Sequence, residues 1–101
     1  MSLAYKAVFT KGGNFYSLGM GNARQILLPT DRMRYGGKHG ISAAKTVAGA
    51  RAVLGFVLNR KVKPKPDGDL MIVKVLGKEK FFENKWRVIF KSVKVIEVVQ
   101  R

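Results

Sequence analysis

Aromatic and basic side chains sit close together at three places in this chain: Phe15-Tyr16 with Arg24 further on, Arg34-Tyr35, and Lys80-Phe81-Phe82 followed by Lys85-Trp86-Arg87. An aromatic face can stack on a base while a neighbouring cation holds a phosphate, so these residue types together are chemistry aimed at a polyanion. Tyr16, Tyr35 and Trp86 are the stacking candidates. Phe9, Phe56 and Phe90 lie within apolar periodic stretches and are expected in the core.

The charge balance points the same way. Lys and Arg number 20 against 6 acids, a formal net charge of +14. Self-repulsion on that scale opposes the compact state, and phosphate backbones offset it by releasing condensed counterions. The excess is uneven: +5 over residues 1–40, +6 over 41–66 and +3 over 67–101, with no acid at all in the middle stretch. The expected anion-binding residues are Arg24, Arg32, Arg34, Tyr35 and Lys38 from the first acid-poor stretch, and Arg51, Arg60, Lys61, Lys63 and Lys65 from the second.

Other site chemistries find little support. Gly19-Met20-Gly21 invites a phosphate-loop reading, but Arg24 stands where a dinucleotide fingerprint needs its third glycine, and no Gly-Lys-Ser/Thr ending follows. His39 is the only histidine and cysteine is absent. A metal site would need a cluster of such ligands, so neither metal nor cofactor is expected. Asp67 and Asp69 flank Gly68 as turn residues, and Glu79, Glu83 and Glu97 stand among lysines as ion-pair partners. Ser17, Arg34, Tyr35 and Glu97 are types found in transferase and nuclease sites, but their spacing carries no mechanism, so a non-enzymatic protein is expected.

The elements that must position these residues follow from periodicity. Leu3 to Phe9 reads as a strand in which Tyr5, Ala7 and Phe9 alternate with Ala4, Lys6 and Val8. The Lys11-Gly12-Gly13-Asn14 turn leads into a second strand, Phe15 to Leu18. Gly19 to Gly40 reads as a long, irregular, basic connection, with a helical turn over Ala23 to Leu28 stopped by Pro29, a short strand over Arg32 to Tyr35, and a Gly36-Gly37 turn. The main helix is expected over 46–60, capped by Thr46, with Ala50, Val53, Leu54, Val57 and Leu58 as its apolar stripe and Gly49 and Gly55 allowing close packing. A proline-punctuated basic link, Lys61 to Gly68, precedes a strand over Leu70 to Leu76. Gly77 to Asn84 reads as a charged hairpin or loop. Trp86 to Phe90 and Val93 to Val99 read as strands, or as one long strand bent near Ser92. If Val93–Val99 is a sheet edge it would pair with a second copy unless Lys94 and Glu97 blunt it.

This order predicts a single α+β domain over residues 1–101, a mostly antiparallel sheet packed on one main helix. In Tyr5-Lys6, Arg34-Tyr35-Gly36, the helix from Thr46 through Phe56, and the strand Leu70 to Leu76, the layout resembles small uncharacterised α+β domains of bacteriophages and bacteria. The resemblance implies a fold class and a phage-like source, and no activity. The longest apolar stretch, Val53 to Leu58, is too short to span a bilayer, there is no signal-peptide core, and the lack of cysteine suits a reducing cytoplasm, where the chain is expected. The leading expectation is a nucleic-acid-binding domain, directed at the phosphates of DNA or RNA with low sequence selectivity. The alternative is a protein-interaction module, such as a phage-type modulator, docking on an acidic surface of a host protein. A basic structural protein of a ribonucleoprotein is a third reading.

Overall fold

The computed structural model of the chain describes residues 2–17, 26–59 and 69–100, with side chains described throughout these except at 56–59 and 100. Seven strands and one α-helix are present: β1 (Ser2–Lys11), β2 (Asn14–Ser17), β3 (Leu27–Leu28), β4 (Arg34–Tyr35), β5 (Ile41–Ala44), α1 (Val47–Asn59), β6 (Leu70–Glu83) and β7 (Arg87–Gln100), with a short 3₁₀ turn at Gly37–His39 before β5. Every strand pairing is antiparallel. The fold is α+β and mostly antiparallel sheet.

The sheet closes on itself. β6 pairs with β1 over Ser2↔Gly77 to Phe9↔Leu70 and with β7 over the length of the hairpin. On its other edge β7 pairs with β5, and β5 returns to β1 through the pair Tyr5↔Ala44. A second closure runs through β2 and β3, because the Val95 N–H donates to the Pro29 carbonyl at 2.9 Å. β7 is therefore covered on both sides as far as Val95, rather than lying at the edge where the sequence allows a second copy to pair.

Closure decides where the core lies. Ala4 and Val8 of β1, Leu28, Ile41 and Ala43, Val73 and Val75, and Val88, Phe90, Val93 and Val95 form one buried cluster that includes none of the described side chains of α1. The helix covers two smaller clusters on the outside: Ala50 with Ala44 and Ile72, and Val53 and Leu54 against Ala7 and Phe9. Packing on one helix thus describes only part of the molecule. The larger core is strand against strand, since β1 and β6 each bury both faces.

The helix begins one residue after the expected cap: the Gly49 N–H donates to Thr46 Oγ1 at 3.0 Å. Of its predicted stripe, Ala50 is buried and Val53 and Leu54 are half-buried, while the side chains of Val57 and Leu58 lie outside the described residues. Among the described residues no helix is long and apolar enough to cross a membrane.

Several local expectations are corrected. Of the hairpin or loop expected over Gly77 to Asn84, the hairpin is what forms: Gly77 to Glu83 continue β6, paired with β7 from Val93 to Val88. The polar composition left both open, and the strand exists because it has a partner. Leu27 and Leu28 belong to a strand and not to a helical turn, since β2 supplies their hydrogen bonds. The strand expected from Arg32 is confined to Arg34–Tyr35, and Ile41–Ala44 is a strand the sequence did not announce. Trp86 lies in the turn before β7. The single long strand is what forms, as β7, and core burial passes from Phe90 to Val93 around Ser92.

One charged group stands on the core side of the barrel. Lys6 lies between Ala4 and Val8 on β1, opposite Val73, and is 92% shielded from solvent. Its Nζ donates to the Ser42 carbonyl of β5, bridging the seam where β1 and β5 are joined only at Tyr5↔Ala44. Burial without a carboxylate partner pushes its pKa down from 10.5 to about 8.

Candidate nucleic-acid interface

The closing turn of the β6–β7 hairpin is built by one side chain. Asn84 Oδ1 accepts the backbone N–H groups of both Trp86 and Arg87 at 2.8 Å, while the Asn84 N–H donates to the Arg87 carbonyl at 3.0 Å. Asn is suited to this because its short amide mimics a backbone turn. The Lys45 N–H donates to the Trp86 carbonyl at 3.1 Å, tying the turn to the end of β5. The Trp86 backbone is thus held at both ends while its ring is 71% exposed.

Phe81 and Phe82, at 51% and 45%, are also exposed. Three large rings thus stand exposed at one hairpin end, outside any core cluster. Cations already lie over two of them: Lys85 Nζ stands 5.2 Å from the Trp86 ring centre and the Arg87 guanidinium 5.6 Å from that of Phe82.

The 34–40 segment is brought beside this hairpin. β4 pairs with β7 at Arg34↔Val93 and Tyr35↔Ser92, and the Gly36 N–H donates to the Lys91 carbonyl at 2.9 Å. Gly40, at φ 69°, lets the chain press against the hairpin: an added Cβ would stand 2.7 Å from the Phe90 carbonyl and 2.9 Å from the Phe81 ring. Tyr35, Ser92 and Lys78 form one cross-strand row, and Ser42, Ile89 and Phe82 another. The rows are about 10 Å apart along β7. Tyr35 is 58% exposed, and Lys38 lies exposed in the 3₁₀ turn between.

Eight cations occupy this end (Arg34, Lys38, Lys45, Lys78, Lys80, Lys85, Arg87 and Lys91) against two carboxylates, Glu79 and Glu83. Both carboxylates are engaged. Glu83 accepts from Lys45 at 2.5 Å and Lys80 at 2.7 Å, and Glu79 pairs with Lys91 at 3.2 Å. The hydrogen bond from Lys45, then that from Lys80, holds the Glu83 carboxyl down at about 2. Arg34, Lys38 and Lys78 form no ion pair with any described acid.

Of the residues the sequence nominated, Arg34, Tyr35 and Lys38 are gathered here. Arg32 is exposed nearby in the chain and pairs with Asp31 at 3.3 Å. Arg51 is exposed on α1, which lies against β1, β5 and β6 rather than beside β4. Arg24, Arg60, Lys61, Lys63 and Lys65 lie outside the described residues. Phe81, Phe82, Trp86, Lys78, Lys80, Lys85 and Arg87 complete the surface. All but Lys78 were visible in the sequence as an aromatic–basic run, and what it lacked was the strand pairing that sets the run beside Tyr35. Tyr16 is not a free ring: it stacks on Phe9 with centroids 5.3 Å apart and packs in the cluster under α1.

The Ser17, Arg34, Tyr35 and Glu97 set is dispersed. Ser17 is buried on β2, Tyr35 lies beside Ser92, and Glu97, near Lys74 at 3.8 Å, is five residues or roughly 17 Å further along β7. Among the described residues no three His, Cys, Asp or Glu side chains come together. Comparison with protein-family models, curated proteins and solved structures finds no match to this chain.

Proposed function

We propose that the chain is a non-enzymatic nucleic-acid-binding domain that holds phosphates at the β6–β7 end with low sequence selectivity. The observation that carries this reading is the electrostatic asymmetry of that end, where both carboxylates are already neutralised by lysines and Arg34, Lys38 and Lys78 have no acidic partner among the described residues. Lysine and arginine contacts to phosphate position a ligand but carry no base information, hence the low selectivity.

The test is a salt titration of binding to fluorescent single-stranded DNA, single-stranded RNA and duplex DNA. Affinity should fall linearly on logarithmic axes as salt rises. Replacing Lys78, Lys85 and Arg87 together with Gln should lower the slope by about 2 to 3, since each lost phosphate contact removes ~0.7 to 0.9 of a released counterion. These side chains are exposed, so the fold should be unaffected. An unchanged slope would place the anion-binding face elsewhere. Absence of binding at low salt would leave the acidic protein surface as the partner.

Glu83→Gln should act in the opposite direction. It removes the anion that occupies Lys45 and Lys80, so nucleic acid should bind about fivefold more tightly at low salt, with a steeper salt slope. Equal or weaker binding by the variant would mean that Lys45 and Lys80 do not face the ligand.

A further inference from the structure

We infer that the ligand of this surface is single-stranded nucleic acid, with bases stacked on Trp86 and Phe82 and the adjoining phosphates held by Lys85 and Arg87. The inference rests on the phosphate-binding reading above and adds the class of ligand. Charge alone suffices to bind a duplex, whose base faces are hidden in the stack. Rings laid open beside cations have a use only where bases are unpaired and present their own faces.

Three features of the hairpin end fit stacking better than the rival occupant, an acidic protein surface. Trp86 is exposed on a turn fixed by two hydrogen bonds to Asn84 Oδ1 and one from Lys45, so little backbone freedom is lost when a ligand arrives. Lys85 and Arg87 each lie over one ring, setting a cation within reach of the phosphate of a base stacked at that ring. Finally, cations flank the rings from Lys80 to Arg87, whereas the centre of a protein–protein interface is depleted of charge.

Trp86 is the only tryptophan, so its fluorescence reports on this position alone. The experiment titrates the full chain with oligo(dT), oligo(rU) and a DNA duplex at low salt, following Trp86 emission and, in parallel, the anisotropy of labelled versions of the same probes. Both single strands, or one of them, should quench Trp86 while the duplex leaves its emission nearly unchanged; the two single-strand arms distinguish DNA from RNA. Trp86→Ala should weaken single-strand binding by about tenfold or more and duplex binding by less than about twofold, and Trp86→Phe should retain most of the single-strand affinity. An unchanged melting temperature of the variants excludes misfolding as the cause. Equal loss for strand and duplex in Trp86→Ala, or equal quenching by both, overturns the inference while leaving the phosphate-binding reading in place. No anisotropy change with any probe overturns both.

Discussion

Replacing Lys6 with methionine should abolish a pH dependence of stability that the wild-type chain shows between about pH 8 and pH 10.5. Lys6 is buried on the core side of β1 and its pKa is lowered to about 8 by desolvation. In the unfolded chain it titrates at its ordinary value of 10.5, so between these two values the unfolded state holds the extra proton. The unfolded state binding more protons means that stability rises with pH across the window. Below pH 8 the folded protein carries the full cost of a buried ammonium, and above 10.5 the amine is neutral in both states.

The expected gain of wild type relative to Lys6→Met between pH 7 and pH 9.5 is about 2 kcal/mol. Groups common to both proteins cancel in that difference. The absolute effect at pH 7 is smaller than the ionic cost alone, because methionine also leaves the Ser42 carbonyl without its donor, a loss of about 1 to 3 kcal/mol. Urea denaturation of both proteins at the two pH values measures the difference. Parallel pH profiles would show that Lys6 is as well solvated when folded as when unfolded.

Gly77→Ala should destabilise the domain by about 2 to 3 kcal/mol, through overpacking alone. Gly77 is buried on β6 opposite Val93, and a methyl group there would stand 2.4 Å from carbons of the Phe90 ring. That ring is 1% exposed and belongs to the main core, so it has no free direction in which to yield. Phe90→Val removes the δ and ε carbons that the methyl would meet and should cost about 2 to 4 kcal/mol by itself. In the double variant the methyl occupies part of the vacated space, so the combined loss should be at least about 1 kcal/mol smaller than the sum. Thermal or urea denaturation of the four proteins gives the cycle. Additive losses would mean that the ring does not rest on Gly77.

These residues show where sequence and tertiary structure divide the work. Local periodicity is enough for α1, because Thr46 offers a hydroxyl at the cap and the apolar residues recur at helical spacing whatever the helix packs on. The β1–β2 hairpin is legible for the same reason, with Gly12 and Gly13 supplying the positive φ its turn requires. Net charge and the aromatic–basic runs are properties of composition and needed no fold. Whether 77–83 is hairpin strand or loop was not legible, because its residues are polar and glycine-led and become a strand only by pairing with 88–93. Ile41–Ala44 is too short to announce itself, yet it closes the barrel through Tyr5↔Ala44.

Sequence alone sets Lys6 among the alternates of β1 and leaves its burial undecided. A strand inside a closed sheet that also carries a helix on its outer side buries both faces, so Lys6 becomes an interior charge. The same nonlocal pairing decides the candidate site. Arg34-Tyr35 and Lys80 to Arg87 are about 45 residues apart in the chain, and only the hydrogen bonds of β4 and Gly36 to β7 bring them to one end of the molecule. Residue types and spacing determined that this chain has a helix, a hairpin, a positive field and rings among its cations. Strand pairing between distant segments decided which of those charges are buried and which rings stand together, because backbone hydrogen bonds between strands depend on partners that no local window contains.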